Sequence, residues 1–275
     1  MTMIPLEDSF TDILGKAQRG AKLSDADLAT QAGVPVETLT RVKAGDVDPQ
    51  ALSRLAKPLR LGPDTLLASA QKAWYPRPHA VEGLAQFNTT YEDMTVNAYL
   101  VWDPASREAA VFDTGADVRP ILQTVAAKQL TVKLILLTHT HPDHIADLAR
   151  LKKETGAPTY VCALESTEGA ETFQAGRSFQ LGRLSVETRQ TSGHSVGGIT
   201  YVILGLAVPV AVVGDAIFAG SMGGGGVSYP DALSNNRRHL LSLPDPTVLC
   251  PGHGPLSSVG EEKQHNPFYP EFQNT

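Results

Sequence analysis

The stretch Thr138-His139-Thr140-His141-Pro142-Asp143-His144-Ile145 constrains this chain more than any other, because it sets three imidazoles and a carboxylate within six consecutive residues. Upstream, Val132-Lys133-Leu134-Ile135-Leu136-Leu137 is a short run of branched apolar residues that reads as a buried strand. Downstream, Ile145 to Lys153 carries apolar residues at helical spacing. The polar residues therefore occupy the turn from strand end to helix start, where α/β sheets keep their sites. His139 and His141, two apart, project to the same side of extended backbone and can grip one ion together. Pro142 bends the chain, so Asp143 and His144 aim at a second point. Two adjacent metal positions follow. Neutral imidazole suits zinc, iron and other divalent transition ions, whereas one carboxylate among four donors disfavours a calcium or magnesium cage. The competing reading makes Asp143 a helix N-cap with histidines on a polar surface; it leaves the density of imidazoles unexplained.

Two more apolar runs, Val210-Ala211-Val212-Val213-Gly214 and Thr247-Val248-Leu249-Cys250, read as buried strands that each end at a potential ligand, Asp215 and His253. The motifs then resemble those of the metallo-β-lactamase superfamily: His139-x-His141-x-Asp143-His144 after a buried strand, Ser192-Gly193-His194-Ser195-Val196-Gly197-Gly198, Gly214-Asp215-Ala216-Ile217-Phe218, and Cys250-Pro251-Gly252-His253-Gly254-Pro255, in the family's order. The resemblance covers roughly Ala80 to the C-terminus and implies an αββα sandwich within the α/β class. It implies His139, His141 and His194 on a first metal, Asp143, His144 and His253 on a second, and Asp215 bridging both. Phe112-Asp113-Thr114-Gly115 resembles the family's early Asp motif, which implies that Asp113 supports a ligand from behind. His79, His239 and His265 fall outside these motifs and are expected at the surface or satisfied in the core.

The chemistry implied is hydrolysis. Two divalent cations, zinc first with iron and manganese as alternatives, lower the pKa of a shared water and polarise a carbonyl or phosphoryl oxygen. The nucleophile expected is hydroxide held by the ions and oriented by Asp143 or Asp215, so Ser192 and Ser195 are read as backbone-shaping residues. His253 to Pro267 is similar to the ending of glyoxalase II-like hydrolases, which implies a small acyl or thioester substrate of the hydroxyacylglutathione kind. The chain departs from that pattern in stopping soon after Asn266-Pro267 and in carrying Ala219-Gly220-Ser221-Met222-Gly223-Gly224-Gly225-Gly226-Val227-Ser228 after Asp215. This glycine run is expected to line the pocket, with Ser221, Met222 and Gly223 near substrate and Arg237 available to an anionic group; a plain flexible loop is the alternative.

Bulk properties set the remaining bounds. The 275 residues are 42% hydrophobic, enough for a sizeable core. A formal net charge of −6 gives no global attraction to nucleic acid or anionic membrane. The first ten residues carry acids and no apolar core, so no signal peptide is expected, and no run approaches the roughly 20 apolar residues of a membrane helix. Cytoplasmic residence is the default. The two cysteines, Cys162 and Cys250, lie in strand-like runs and read as packing residues rather than as a disulfide or a nucleophile.

Tyr75-Pro76-Arg77-Pro78 breaks the helical pattern and divides the chain into a helical region, 1–75, and a catalytic region, 76–275. In the first, Asp8 to Arg19 carries Phe10, Ile13, Leu14 and Ala17 on one face, Ser24 caps Asp25 to Ala32, and Val36 to Ala44 follows the Gly33-Val34-Pro35 turn. Helices from Gln50 to Leu59 and from Pro63 to Ala73 complete it. Ser24 to Gly45 resembles the Cro/C1-type helix-turn-helix, which implies a small all-α domain with Thr38, Thr40, Arg41 and Lys43 facing a major groove. Charge does not support DNA as a partner: residues 1–75 hold nine Lys plus Arg and nine Asp plus Glu. The alternative is a helical packing module or a homodimer contact. In the second region Thr95 to Trp102 and Glu108 to Phe112 read as a hairpin and Asp117 to Gln129 as a helix; further strands are Thr159 to Ala163, Arg183 to Thr188 and Ile199 to Leu206, with a helix from Asp231 to Leu243.

Three functions are thus compatible with the sequence. The first is a dinuclear hydrolase of a thioester or related acyl substrate. The second is a DNA-binding regulator whose metallo-domain acts as a sensor. The third is a single-iron persulfide dioxygenase using His139, His194 and Asp215.

Overall fold

The computed structural model describes residues 3–273, so the outer ends of both regions, 1–2 and 274–275, lie outside the described residues. Five helices come first: α1 Phe10–Gly20, α2 Asp25–Ala32, α3 Val36–Lys43, α4 Pro49–Leu59 and α5 Pro63–Ala70. Their starts follow capping chemistry. Ser9 accepts from the Asp12 N–H while Asp12 reaches back to the Ser9 N–H, Ser24 accepts from Asp27, and Asp48 accepts from Ala51 ahead of Pro49. Gly33, at φ 66°, ends α2 in the left-handed conformation that glycine adopts without strain.

Two six-stranded sheets follow. The first holds β1 Leu84–Tyr91, β2 Met94–Trp102, β3 Glu108–Phe112, β4 Thr131–Leu136, β5 Thr159–Cys162 and β6 Glu171–Phe173, side by side in chain order. The second holds β7 Ser178–Leu181, β8 Leu184–Gln190, β9 Ile199–Leu204, β10 Val210–Gly214, β11 Val248–Pro251 and β12 Ser257–Ser258, likewise in order. β1 lies outside the strands read from the sequence, since Leu-Ala-Gln-Phe-Asn-Thr-Thr-Tyr alternates too weakly to announce a strand.

The parallel pairs decide where the site forms. β3 runs parallel to β4, and β10 parallel to β11, so the C-terminal ends within each pair lie at one edge. Asp113, the segment 138–144, Asp215 and His253 all follow those ends.

Three apolar clusters divide the molecule into layers. Tyr99, Phe112, Leu136, Val186, Tyr201, Val212 and Cys250 interleave between the sheets. Between α6 Arg119–Ala127 and α8 Leu148–Thr155 lies the single turn α7 Pro142–Ile145, and α6 and α8 cover the first sheet through Val118, Ile121, Leu148 and Leu151. The outer face of the second sheet, with Val202, Ala211, Val213 and Leu249, belongs to one continuous cluster with Phe10, Ile13, Leu14, Leu52, Leu55 and Leu66 of the N-terminal helices. The same cluster takes in Ala232 of α9 Tyr229–Asn235 and Leu240 of the π-turn Asn236–Leu240 that continues it. The helical region therefore forms part of the outer layer of the sandwich, a four-layer α/β/β/α arrangement. No helix among the described residues is long and apolar enough to cross a membrane.

Glu262, on α10 Val259–His265, is fully buried and accepts from the Gly220 N–H at 3.0 Å and Asn266 Nδ2 at 2.8 Å. Burial pushes its carboxyl up to about 8, against the pull of those bonds. A folded-state value above the ordinary 4.5 means that the stability held by the protonated carboxyl is whole at low pH and is lost as pH rises through about 8. Glu262→Gln is expected to flatten the fall of Tm across that pH, measured by thermal melting against the parent protein.

Candidate metal centre

Asp113 organises the turn beyond β4. Its own backbone sits at φ 55°, a conformation costing a non-glycine residue about 1 kcal/mol or more. Three donors converge on its carboxylate: the Thr138 N–H at 2.7 Å, Thr138 Oγ1 at 2.8 Å and His144 Nδ1 at 2.9 Å. Because Nδ1 of His144 donates to Asp113, its Nε2 lone pair is turned into the cleft. The same device recurs twice: His253 Nδ1 donates to the Thr95 carbonyl at 2.6 Å, and His194 Nδ1 to the Gly224 carbonyl at 3.0 Å.

The seven side chains singled out by the motifs come together in two groups. His139 Nε2 and His194 Nε2 each lie 3.0 Å from His141 Nδ1, and Asp215 Oδ2 lies 3.3 Å from His194 Nε2. Asp143 Oδ2 lies 3.3 Å from His253 Nε2 and 3.5 Å from His144 Nε2. Asp215 reaches both groups, its Oδ1 standing 3.3 Å from His144 Nε2 and its Oδ2 3.5 Å from His253 Nε2. Within each group the ligand-type atoms all lie within 4.8 Å of one another. His141 and His194 stand on the solvent side; the others are buried.

A cation fits this arrangement. His144 Nε2 and Asp215 Oδ1 are buried with no hydrogen-bond partner, a state that costs free energy unless something accepts their lone pairs. The donor set of imidazole nitrogens and carboxylate oxygens suits divalent transition ions.

Burial and the neighbouring carboxylates set the protonation of these rings in opposite directions. Burial, together with the charge of His144, holds His139 well below the usual histidine range, so it stays neutral. Burial opposes charging of His144 and His253 as well, but Asp215 and Asp113 raise His144 to about 10, and Asp143 and Asp215 raise His253 to about 11. Asp215 is held far below the carboxylate range, since His144 and His253 outweigh its burial.

The peptide behind the ligands is fitted closely. A Cβ at Gly252 would stand 2.1 Å from Asp215 Oδ1 and 2.6 Å from His144 Cε1, so only glycine leaves room for both ligands. A Cβ at Gly223 would stand 1.9 Å from the Asp215 carbonyl. Two positioning residues lie outside the motifs. Asn97, fully buried in β2, donates from its backbone to the Gly252 carbonyl at 2.7 Å and from Nδ2 to the Pro251 and Gly254 carbonyls. Glu165 ties Thr140 Oγ1 at 2.6 Å to the Gly197 N–H at 2.9 Å, joining the two segments that carry His139, His141 and His194. A lone amide within the apolar run Thr95 to Trp102 was the one sequence signal for Asn97; Glu165 had none.

The expected substrate contacts need correction. Met222 is fully buried, with its sulfur against the Tyr269 hydroxyl and its carbonyl accepting from Lys16, and the Ser221 hydroxyl is taken by Asp8. Both anchor the loop rather than face the cleft. Arg237 is bound to Glu271 at 2.5 Å and lies over the Tyr269 ring, in a cavity with Gly20, Tyr229 and Phe268. Of the glycine run, Gly223 packs on the Asp215 carbonyl and the Gly224 carbonyl accepts from His194 Nδ1, while the space beside the Gly224 Cα is open. Thr40, Arg41 and Lys43 are exposed and Thr38 half-buried, but Lys43 pairs with Asp25 at 2.8 Å and Arg41 with Asp46 at 3.9 Å. His79 bonds to Glu261 and His265 stacks on Trp74, while Cys162 and Cys250 are free and buried, their thiols pushed up by burial.

Loading with a divalent cation is expected to release protons at neutral pH, because His144 and His253 must give theirs up to become ligands. Calorimetric titration in buffers of different ionisation enthalpy measures this, and affinity should rise with pH. Asp113→Asn should weaken metal binding about 10- to 100-fold by chelator competition, since a neutral amide holds His144 less well.

The comparisons with known proteins agree with this geometry. The sequence profile of the Metallo-beta-lactamase superfamily matches residues 91–253, leaving the N-terminal helices outside the match. Hydroxyacylglutathione hydrolase GloC of Haemophilus influenzae is 29% identical over 197 residues, covering 62% of this chain and 92% of that protein. The crystal structure of the BLEG-1 B3 metallo-beta-lactamase superposes with a TM-score of 0.59 at 27% identity, covering 68% of this chain and 99% of that one. That of TTHA1623 in a di-iron-bound form gives a TM-score of 0.53 at 26% identity, covering 66% and 99%. With its fold, its ordered ligands and a family match across more than half its length, the chain belongs to the metallo-β-lactamase superfamily.

Proposed function

We propose that this protein is a dinuclear metallohydrolase acting on a thioester or related small acyl substrate. The observation that carries the reading is Asp215, whose two oxygens reach both ligand groups and one of which is buried without a hydrogen-bond partner. His139, His141 and His194 would hold one cation, Asp143, His144 and His253 the other, and Asp215 would touch both. Zinc, iron and manganese all suit these donors. When bound, such ions acidify a water and polarise an acyl oxygen. The chain's own groups would orient the attack: Asp143, 3.3 Å from His253 Nε2, would align the attacking water, while Asp113 and the Thr95 carbonyl keep the rings from turning. Neither cysteine is a candidate nucleophile, because both thiols are buried and kept protonated. The thioester preference is supported by the likeness to the Haemophilus hydroxyacylglutathione hydrolase.

The helix pair α2 and α3 is proposed as a Cro/C1-type helix-turn-helix serving packing rather than DNA. Its two outward cations are matched by Asp25 and Asp46, which leaves little charge for phosphate.

Elemental analysis of the purified chain alongside a panel of thioester, lactone, β-lactam and phosphodiester substrates tests the reading. Two metal equivalents and thioester turnover are expected, with His141→Ala lowering turnover by about 100-fold or more, above the range of outer-sphere changes. One iron per chain with oxygen uptake would replace it with the persulfide dioxygenase reading.

A further inference from the structure

The loop that follows Asp215 is held from a part of the chain that the family match does not cover. Asp8 accepts from Ser221 Oγ at 2.5 Å and from Lys16 Nζ, and Lys16 Nζ also donates to the Met222 carbonyl at 2.8 Å. This pair is shielded, with side-chain exposures of 7% for Asp8 and 14% for Lys16. The next two residues touch metal ligands. Gly223 packs on the Asp215 carbonyl, and the Gly224 carbonyl accepts from His194 Nδ1. Lys16 also lies over the Phe218 ring, 5.0 Å from its centroid, and Phe218 stands edge-on to His253 at 5.6 Å. From the far side Asn266 Nδ2 donates to the Ser221 carbonyl at 2.7 Å, and Glu262 accepts from Gly220.

We infer that Asp8 and Lys16 are positioning residues that couple the N-terminal helices to the metal centre, fixing segment 218–224 so that Asp215, His194 and His253 keep their ligand geometry. This rests on the reading of those side chains as metal ligands. The physical reason is economy of order. A loop with four glycines, 223–226, has no intrinsic rigidity, so its geometry has to be imposed by bonds from outside. A shielded ion pair with directional donors imposes it better than apolar packing, which tolerates sliding. The helical segment then acts as a wall of the catalytic centre.

The test is cobalt substitution of the full-length chain, reading the visible ligand-field spectrum and the affinity of the two metal positions by chelator competition. Lys16→Met removes the grip on Met222, and the double variant Asp8→Asn/Lys16→Met guards against misfolding from one unpaired buried charge. Leu28→Ala, in the same apolar cluster but away from the loop, reports on simple destabilisation. Expected is a changed cobalt spectrum and a loss of about 10-fold or more in affinity at the position formed by His139, His141, His194 and Asp215 in both loop variants. In turnover, kcat should fall more than KM changes. Leu28→Ala should lower Tm while leaving spectrum and affinity at parent values. An unchanged spectrum and affinity in the double variant, or equal changes in Leu28→Ala, would overturn the inference. Absence of thioester turnover in the parent, with the cobalt effects intact, would instead count against the proposed substrate alone.

Discussion

Everything in this molecule answers to the crowding of lone pairs around Asp215. Five imidazoles and two carboxylates meet with their acceptor atoms turned toward one another, and two of those atoms have no hydrogen-bond partner. The carboxylates raise His144 to about 10 and His253 to about 11 against their burial. The fold resists opening by fixing each ring from behind, with Asp113 on His144, the Thr95 carbonyl on His253 and the Gly224 carbonyl on His194. The strain at Asp113 and the glycine at 252 are local consequences of the same demand. Parallel pairing of β3 with β4 and of β10 with β11 is what delivers these groups to one edge.

Much of the site was legible beforehand because its ligands are chemically conspicuous. Histidines two apart on a turn after an apolar strand have few structural uses, and in the fold His139 and His194 each stand 3.0 Å from His141. Most strands of the two sheets could be anticipated from branched runs, although β1 could not, its side chains being mostly half-buried and weakly alternating, nor could the short β6, β7 and β12. Asn97 and Glu165 escaped because their partners are backbone and hydroxyl groups distant in sequence, which leave no local pattern. Arg237, Ser221 and Met222 were misplaced for a related reason: proximity in sequence to a ligand says nothing about which way a loop turns.

The boundary near residue 75 shows the same limit. The sequence switches there from helical to strand pattern, and the secondary structure follows, yet the apolar surface of the N-terminal helices joins that of Val202, Ala211, Val213 and Leu249 in one cluster. A change of pattern marks a change of element type, while a core is defined by what the apolar faces bury against. Gly62, whose N–H donates to the Pro267 carbonyl, and Trp74, stacked on His265, close the seam at its edge. An ion pair of Asp8 with Lys16 at that seam brings a region outside the family match within a few bonds of the metal ligands.

The most direct measurement of the paired centre is anomalous diffraction at the metal absorption edge from crystals grown with saturating cation. Two peaks a few ångströms apart are expected, one among His139, His141 and His194, the other among Asp143, His144 and His253, with Asp215 between them. A single peak, or side chains turned outward around an empty cleft, would contradict it.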